Sequence, residues 1–400
     1  MLRSNLIFKI INSSFLIFGT AVGAGMLGLP IVISVLGFIP GVIISFLVWG
    51  LMYVTGVLFV DVITRFPNKN LLSIISDRLG GNWALITRIA FIFLYYVLII
   101  AYFSAGSPVL INFLCITTSL NWVIYVIFGV VFSILLMLKT KHLGYINTIL
   151  GIVMIICFFL LCYTAFSKIE LEKLSFMNYS GMLLSAPVLF SVFGYHAVLP
   201  IVCEYLQYDK KLIYNTIFYG TFVALIMYVI WQMIMIGVIS KDTLNQALLN
   251  DLAITDILHF MGNSSYVVVA QVFSFLALST SLIGISLANM ALIDDILVIT
   301  WNLHSMKVFR IIIVLVPACI ISAINPYIFN KALELAGGIG VSYLSGLLPL
   351  LLFYNVKYKK QTALELESTK YLKLLIYFMT ACVISVMLLE LYKIIKIIAY

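Results

Sequence analysis

From Ile10 to Val60 the chain carries no charged residue, and from Ile89 to Leu138 it carries none again. A water-soluble fold cannot use such stretches. A helix needs about 20 apolar residues to cross the hydrocarbon core of a bilayer, so each run is long enough for two crossings. The rest of the sequence agrees. Of its 400 residues 64% are hydrophobic and 10% charged, and the mean hydropathy is +1.18. Soluble domains carry about 25% charged residues, and 400 residues cannot build a core large enough to hide the difference. The bilayer is the main solvent.

Turn signals divide the two runs, Gly37-Phe38-Ile39-Pro40-Gly41 in the first and Thr117–Asn121 in the second. Further spans are expected at Leu143–Phe166, Leu183–Cys203, Leu212–Ile239, Val267–Ile293, Ile311–Phe329, Leu335–Val356 and Leu374–Leu389. The sequence thus predicts an all-α polytopic membrane protein of about eleven transmembrane helices, the last one short. With the N-terminus inside, 17 of the 23 Lys and Arg residues fall in inner segments. That bias predicts a cytoplasmic N-terminus and an outer C-terminus. It also accounts for the net charge of +8 without a nucleic-acid partner.

The remaining features are modest. Asn70–Arg78 and the acidic Lys241–Phe260 read as interfacial amphipathic helices. Lys357–Lys373 reads as a cytoplasmic linker before the final helix. Six cysteines lie in or beside apolar runs with no CxxC pair, so they read as buried hydrophobes. The apolar stretch after Lys9 is too long for a cleaved signal and lacks a cleavage box.

The segment with chemical character lies in the first span. Phe18 to Pro30 holds four glycines and a proline in thirteen residues, which interrupts a helix that costs about 1 kcal/mol per glycine. Unwound backbone at membrane depth is tolerated only inside protein or beside a cavity. Such a break frees amides at Gly23, Ala24 and Gly25 for an anion such as a carboxylate, and carbonyls near Gly19, Thr20 and Ala21 for an ammonium group or cation. A lone glycine cluster would more simply permit close helix packing. The sixth span repeats the pattern, however: Phe190-Ser191-Val192-Phe193-Gly194-Tyr195-His196-Ala197-Val198-Leu199-Pro200 again sets a glycine ahead of Leu-Pro. Paired interruptions in two halves point to a broken-helix transporter with inverted repeats. The first repeat would cover about residues 10–166 and the second about 180–356, within a transport core of 1–356. The linker at 357–373 and the helix at 374–400 follow it.

These residues resemble a known family. Gly19-Thr20-Ala21-Val22-Gly23-Ala24-Gly25-Met26-Leu27-Gly28-Leu29-Pro30 is similar to the first-helix signature of the bacterial hydroxy/aromatic amino acid permeases. These are the tyrosine- and tryptophan-type permeases of the amino acid–polyamine–organocation superfamily. Phe193-Gly194-Tyr195-His196 with Leu199-Pro200 resembles their sixth-helix motif, and Ala277-Leu278-Ser279-Thr280-Ser281-Leu282-Ile283-Gly284 their eighth. The resemblance implies a LeuT-like 5+5 inverted repeat with broken helices 1 and 6, and amino acid uptake coupled to a cation gradient in the bacterial inner membrane.

The same residues supply the expected site. Substrate contacts are expected from Thr20, Ala21, Gly23, Ala24, Gly25, Ser191, Phe193, Gly194, Tyr195 and His196. His196 also reads as the one ionisable side chain inside a span, which makes it a functional candidate, since an unperturbed imidazole lies close enough to physiological pH for modest shifts to move it across. Ser279, Thr280 and Ser281 offer hydroxyls that either back-bond to their own helix or, as the resemblance implies, face first-helix carbonyls where sodium sits in some relatives. Other relatives place a fifth-span lysine there, but Leu143–Phe166 contains none. The proton is favoured as coupling ion, with sodium as the alternative. Tyr95, Tyr96 and Tyr102 include a candidate for the substrate carboxylate. The resemblance further implies an inner gate between Arg3 and Lys9 before the first helix and Asp294 and Asp295 after the eighth.

Other function classes lack their marks. There is no HExxH, no GxGD, no GxSxG nucleophile elbow and no Walker A loop. No filter repeat or charged ring suggests a channel. The expected function is secondary active import of an aromatic amino acid, L-tyrosine or L-tryptophan, by cation symport and alternating access. A permease for another neutral amino acid is the alternative, and a membrane-embedded enzyme a more distant one. No cofactor, metal or obligate protein partner is expected.

Overall fold

The computed structural model describes residues 2–114, 121–261, 264–301, 306–358 and 370–399, and among these there are helices and connecting turns but no strand. Lipid cannot satisfy a backbone amide, so each crossing segment closes its hydrogen bonds internally. The first span is α1 (Leu2–Ala21), a 3-10 turn (Ala24–Gly28) and α2 (Leu29–Ser34). Lys9–Ala21 and Gly25–Ser34 are bent by 46° at the glycine-rich stretch. Gly37 (φ 88°) then turns the chain into α3 (Phe38–Thr64), and a side chain there would run into the Phe176 carbonyl.

Asn70, whose side chain accepts from the Leu72 amide, caps the short amphipathic α4 (Leu71–Leu79). Next come α5 (Gly81–Phe113), α6 (Asn121–Met137), α7 (Thr140–Ala165) and the single turn α8 (Leu171–Leu174). The sixth span is α9 (Met182–Val192), a 3-10 turn (His196–Val198) and α10 (Leu199–Tyr205). α11 (Lys210–Val238) is followed by α12 (Lys241–Leu249) and α13 (Ile254–Phe260), which divide the expected acidic amphipathic segment in two. α14 (Ser265–Trp301) and α15 (Lys307–Ile324) follow. The tenth span is α16 (Phe329–Leu335), a π-helical segment (Ala336–Leu347) and α17 (Leu348–Tyr358). The chain ends with α18 (Lys370–Ala399).

Two expectations change. Among the described residues nine helices are long and apolar enough to cross a membrane, or ten when the bent first pair is one span. The fourth expected span is the shorter helix α6, and the Thr117–Asn121 turn before it lies almost wholly outside the described residues. The final helix is not short: its 30 residues run ten past the expected end at Leu389. Most of the expected linker, 359–369, lies outside the described residues.

Burial separates inner from peripheral spans. Phe329–Lys357 buries 78% of its apolar window and Met182–Tyr205 67%, against 28% for Lys307–Ile324 and for Tyr371–Lys396. The well-buried inner spans include the one that carries the sixth break, and α15 and α18 are peripheral, with most of their surface exposed.

Candidate functional site

At the first break the helix ends on Ala21, and Gly23 adopts an extended conformation (φ −140°, ψ −160°) before the 3-10 turn begins. Pro30 stands in the first turn of α2, where its missing amide costs no helical bond. The break is tightly closed. A Cβ on Gly23 would lie 2.2 Å from Ser281 Oγ of α14, and one on Gly25 would lie 3.4 Å from the Val192 backbone. Ser281 is hydrogen-bonded to the buried Tyr102 of α5.

The sixth break opens after Val192. Phe193 and Tyr195 are buried, and Gly194 donates to the Ser191 carbonyl at 3.4 Å. The Tyr195 hydroxyl donates to the Met52 carbonyl of α3 at 3.0 Å, over a glycine, Gly56, whose Cβ would come within 2.2 Å of that oxygen. His196 Nε2 lies 3.0 Å from Thr55 Oγ1, which is also 3.0 Å from the Met52 carbonyl. With the threonine proton on Met52, Thr55 accepts from Nε2–H and Nδ1 is left as the lone-pair nitrogen. Nδ1 is buried without a hydrogen-bond partner.

One side chain joins the two breaks. Tyr228 of α11, fully buried, donates to the Ala21 carbonyl at 2.6 Å and lies 3.1 Å from the Val192 carbonyl. These are the last residues of the two first half-helices, where unpaired carbonyls concentrate negative dipole charge. The Phe193 ring meets the Tyr228 ring edge-on at 5.2 Å.

The expected residues divide accordingly. Ala21, Gly23, Gly25 and Phe193 converge with Tyr228, Ser281 and Tyr102, and the backbone of Ala24 continues the same turn. Tyr195 and His196 turn instead onto α3. Three hydroxyls bond back to their own helix: Thr20 to Leu16, Ser191 to Val188, and Thr280 to Leu276 and Ala277. Ser279 Oγ is buried with no hydrogen-bond partner. Of the three third-span tyrosines, Tyr102 reaches the break, Tyr96 donates to the Ile313 carbonyl at 2.8 Å and Tyr95 packs on Phe91. Asp294 forms an ion pair with Arg310 of α15 at 2.9 Å, and Asp295 lines a groove with Asn70, Ser73, Ser76 and Arg88. Lys9 lies in α1, and the side chain of Arg3 is outside the described residues. The sequence reading missed Tyr228, which no local motif marks. It also took His196 as the one ionisable group inside a span, whereas Glu390 of α18 is 3% exposed within the protein.

The model of the tryptophan/tyrosine permease family matches residues 7–389. The chain belongs to that family. Among its relatives is the Haemophilus influenzae protein named tyrosine-specific transport system 1, 25% identical over 356 residues that cover 87% of this chain and 88% of the relative. The tryptophan-specific transport protein of the same organism is 26% identical and covers 82% and 83%. Glutamine transporter 2 of Aliivibrio fischeri is 23% identical and covers 70% and 74%. The crystal structure of a mutant manganese transporter from Eremococcus coleocola shares the fold, with a TM-score of 0.61 at 12% identity over 95% of this chain and 85% of that one. The permease is thus a multi-span transport protein and not an enzyme.

Proposed function

We propose that this permease imports tyrosine or tryptophan by proton symport and alternating access, around a site between the first and sixth spans of a LeuT-like 5+5 inverted repeat. The observation that carries the reading is the Tyr228 hydroxyl spanning the Ala21 and Val192 carbonyls. A substrate ammonium needs such carbonyls, and its carboxylate needs the amides that begin the 3-10 turn at Ala24. In this reading an amino acid displaces the tyrosine hydroxyl and inserts between the half-helices. Phe193, Tyr228 and Tyr102 supply flat apolar faces for an aromatic side chain. Tyrosine- and tryptophan-specific relatives support that substrate class. The glutamine transporter relative favours a second reading, another neutral amino acid.

The proton is preferred over sodium because, among the described residues, the hydroxyls and carbonyls near the first break include no carboxylate to complete a cage for a hard cation. Ala21 accepts from Tyr228, Thr280 bonds back to its helix and Ser281 bonds Tyr102. A hard cation needs several oxygen ligands. His196 stays the proposed titrating group at the sixth break. Arg3 and Lys9 with Asp294 and Asp295 stay the proposed inner gate, with Arg310 as an added partner for Asp294. The basic-residue bias supports a bacterial inner-membrane location with the N-terminus in the cytoplasm.

The test is uptake into sealed proteoliposomes, with labelled tyrosine and tryptophan competed by all twenty amino acids. An inward proton gradient without sodium should drive accumulation. Accumulation under a sodium gradient alone would move the coupling ion to sodium, and competition by glutamine but not by aromatics would move the substrate.

A further inference from the structure

The last span carries a charged cluster that the site above does not use. Glu390 of α18 is 3% exposed, and its Oε2 is buried with no hydrogen-bond partner. Lys393 Nζ lies 3.8 Å from that oxygen and 3.1 Å from Glu334 Oε2 of α16. Two carboxylates thus share one ammonium. With both acids ionised the cluster holds an uncompensated negative charge, and ionisable groups held at membrane depth are expensive unless paired.

Among the described residues the neighbourhood offers no second cation. α18 packs on the π-helical segment, α9 and α17. α9 has no titratable side chain, and the π segment has Tyr343, which bonds Thr87. α17 contributes Tyr354, bonded to Tyr377, and Lys357, which lies over the Phe353 ring. Lys331 of α16 is ion-paired with Asp251 at 2.9 Å. Among the described residues Glu334 and Lys393 are the charged groups that face Glu390.

The cluster also touches the transport machinery. A Cβ on Gly338 would lie 2.6 Å from Glu390 Cγ, and a Cβ on the adjacent Gly337 would overlap the Pro187 carbonyl and crowd the Ser191 amide at 2.7 Å. Two consecutive glycines therefore link Glu390 to the half-helix that ends at the sixth break. They lie in a π-helical segment, a distortion frequent at functional sites.

We propose that Glu390, with Glu334 and Lys393, is a proton-binding site of this transporter, read out through Gly338 and Gly337 on the sixth-helix break. A proton from water adds to the Glu390 carboxylate, which leaves a neutral acid beside the Glu334–Lys393 pair, and its release reverses the step. Proton binding stands without the transport reading, and only its effect on uptake rests on that reading.

The decisive measurement is an infrared difference titration of the purified full-length protein, without substrate, following the carbonyl stretch of a protonated carboxylic acid. The wild type should show this band, and Glu390→Gln should remove it. Glu334→Gln leaves one carboxylate for one ammonium, so the Glu390 band should persist but appear only at lower pH. A wild type without the band, a band unchanged in Glu390→Gln, or an unshifted titration in Glu334→Gln overturns the site. Tyrosine counterflow should vary with pH in the wild type and follow a shifted pH profile in Glu390→Gln, and superimposable pH profiles also overturn it. If the wild type carries neither tyrosine nor tryptophan, the substrate reading fails and the infrared result stands alone.

Discussion

The two broken spans are written alike, glycine ahead of Leu-Pro, and are sealed by different physics. The first break is held mainly by close fit, Gly23 against Ser281 and Gly25 against Val192, and its one directional bond comes from outside, from Tyr228 to the Ala21 carbonyl, with no polar side chain of its own engaged across the gap. The sixth is held by directional bonds from its own residues, Tyr195 to Met52 and His196 to Thr55, both on α3. Single dispersion contacts are worth about 0.1–0.2 kcal/mol per atom pair and can be exchanged one by one. A hydrogen bond at low dielectric has no such gradual path. The sixth turn should therefore move with α3 as a unit, and the first should slide against α14.

The strongest way to break that comparison is to dislodge the half-helix on which the sixth break hangs. Gly337→Ala would set a methyl 1.7 Å from the Pro187 carbonyl, against backbone that cannot rotate away. A loss of about 3 kcal/mol or more is expected, seen as aggregation on size-exclusion chromatography or a large fall in melting temperature. A second substitution tests the first break. Gly23→Ala meets a side-chain oxygen, Ser281 Oγ, at 2.2 Å, but the Ser281 Cβ only at 3.4 Å. The single variant should lose about 1–3 kcal/mol of stability and most of its uptake. Adding Ser281→Ala should recover part of the lost melting temperature, because it removes the clashing hydroxyl but also the one bonded to Tyr102. A double variant no more stable than the single one would mean that the two helices are not apposed there.

This difference between the breaks was only half legible in the sequence. Both interruptions could be read because glycine and proline act locally, within a run where nothing else disturbs a helix. The partners could not. Tyr102 and Tyr228 are two of 23 tyrosines, and only the packing of α5 and α11 brings them to the breaks. The hydroxyl trio at Ser279–Ser281 was visible, but successive residues on a helix point about 100° apart. Ser281 reaches the first break while Thr280 bonds back to its own turn. Glu390 was hidden for another reason: a carboxylate at the end of an apolar run looks like a helix end in water. Its burial depends on Gly338, 52 positions earlier, leaving room for it.

A moderate effect is expected where the breaks meet. Tyr228→Phe keeps the ring against Phe193 and removes the hydroxyl shared by the Ala21 and Val192 carbonyls. Leaving a buried acceptor unsatisfied costs about 1–3 kcal/mol, and the cost falls on the closed arrangement alone. The variant should fold but favour conformations in which water reaches the break. Cysteines placed along the pathway should then react faster with a membrane-impermeant thiol reagent than in a Tyr228 background. Equal rates would show that the hydroxyl does not hold the half-helices together.

The smallest effect, and the sharpest test of the anchor, comes from Thr55→Val. Valine fills the same volume and cannot bond His196 Nε2, so one buried hydrogen bond is lost while the fit to α3 is kept. The expected cost is about 1 kcal/mol, a small fall in melting temperature. Transport separates the two roles that His196 could have. If the imidazole only fastens the sixth turn to α3, Thr55→Val and His196→Gln should lower stability alike, and each should keep the wild-type dependence of uptake on the proton gradient. If His196 carries the proton, freeing both ring nitrogens alters its proton affinity without removing the group. Thr55→Val should then shift the pH profile of uptake, while His196→Gln should exchange substrate but fail to concentrate it. Unshifted profiles in both variants would reduce His196 to an anchor and leave the charged cluster at Glu390 as the proton site.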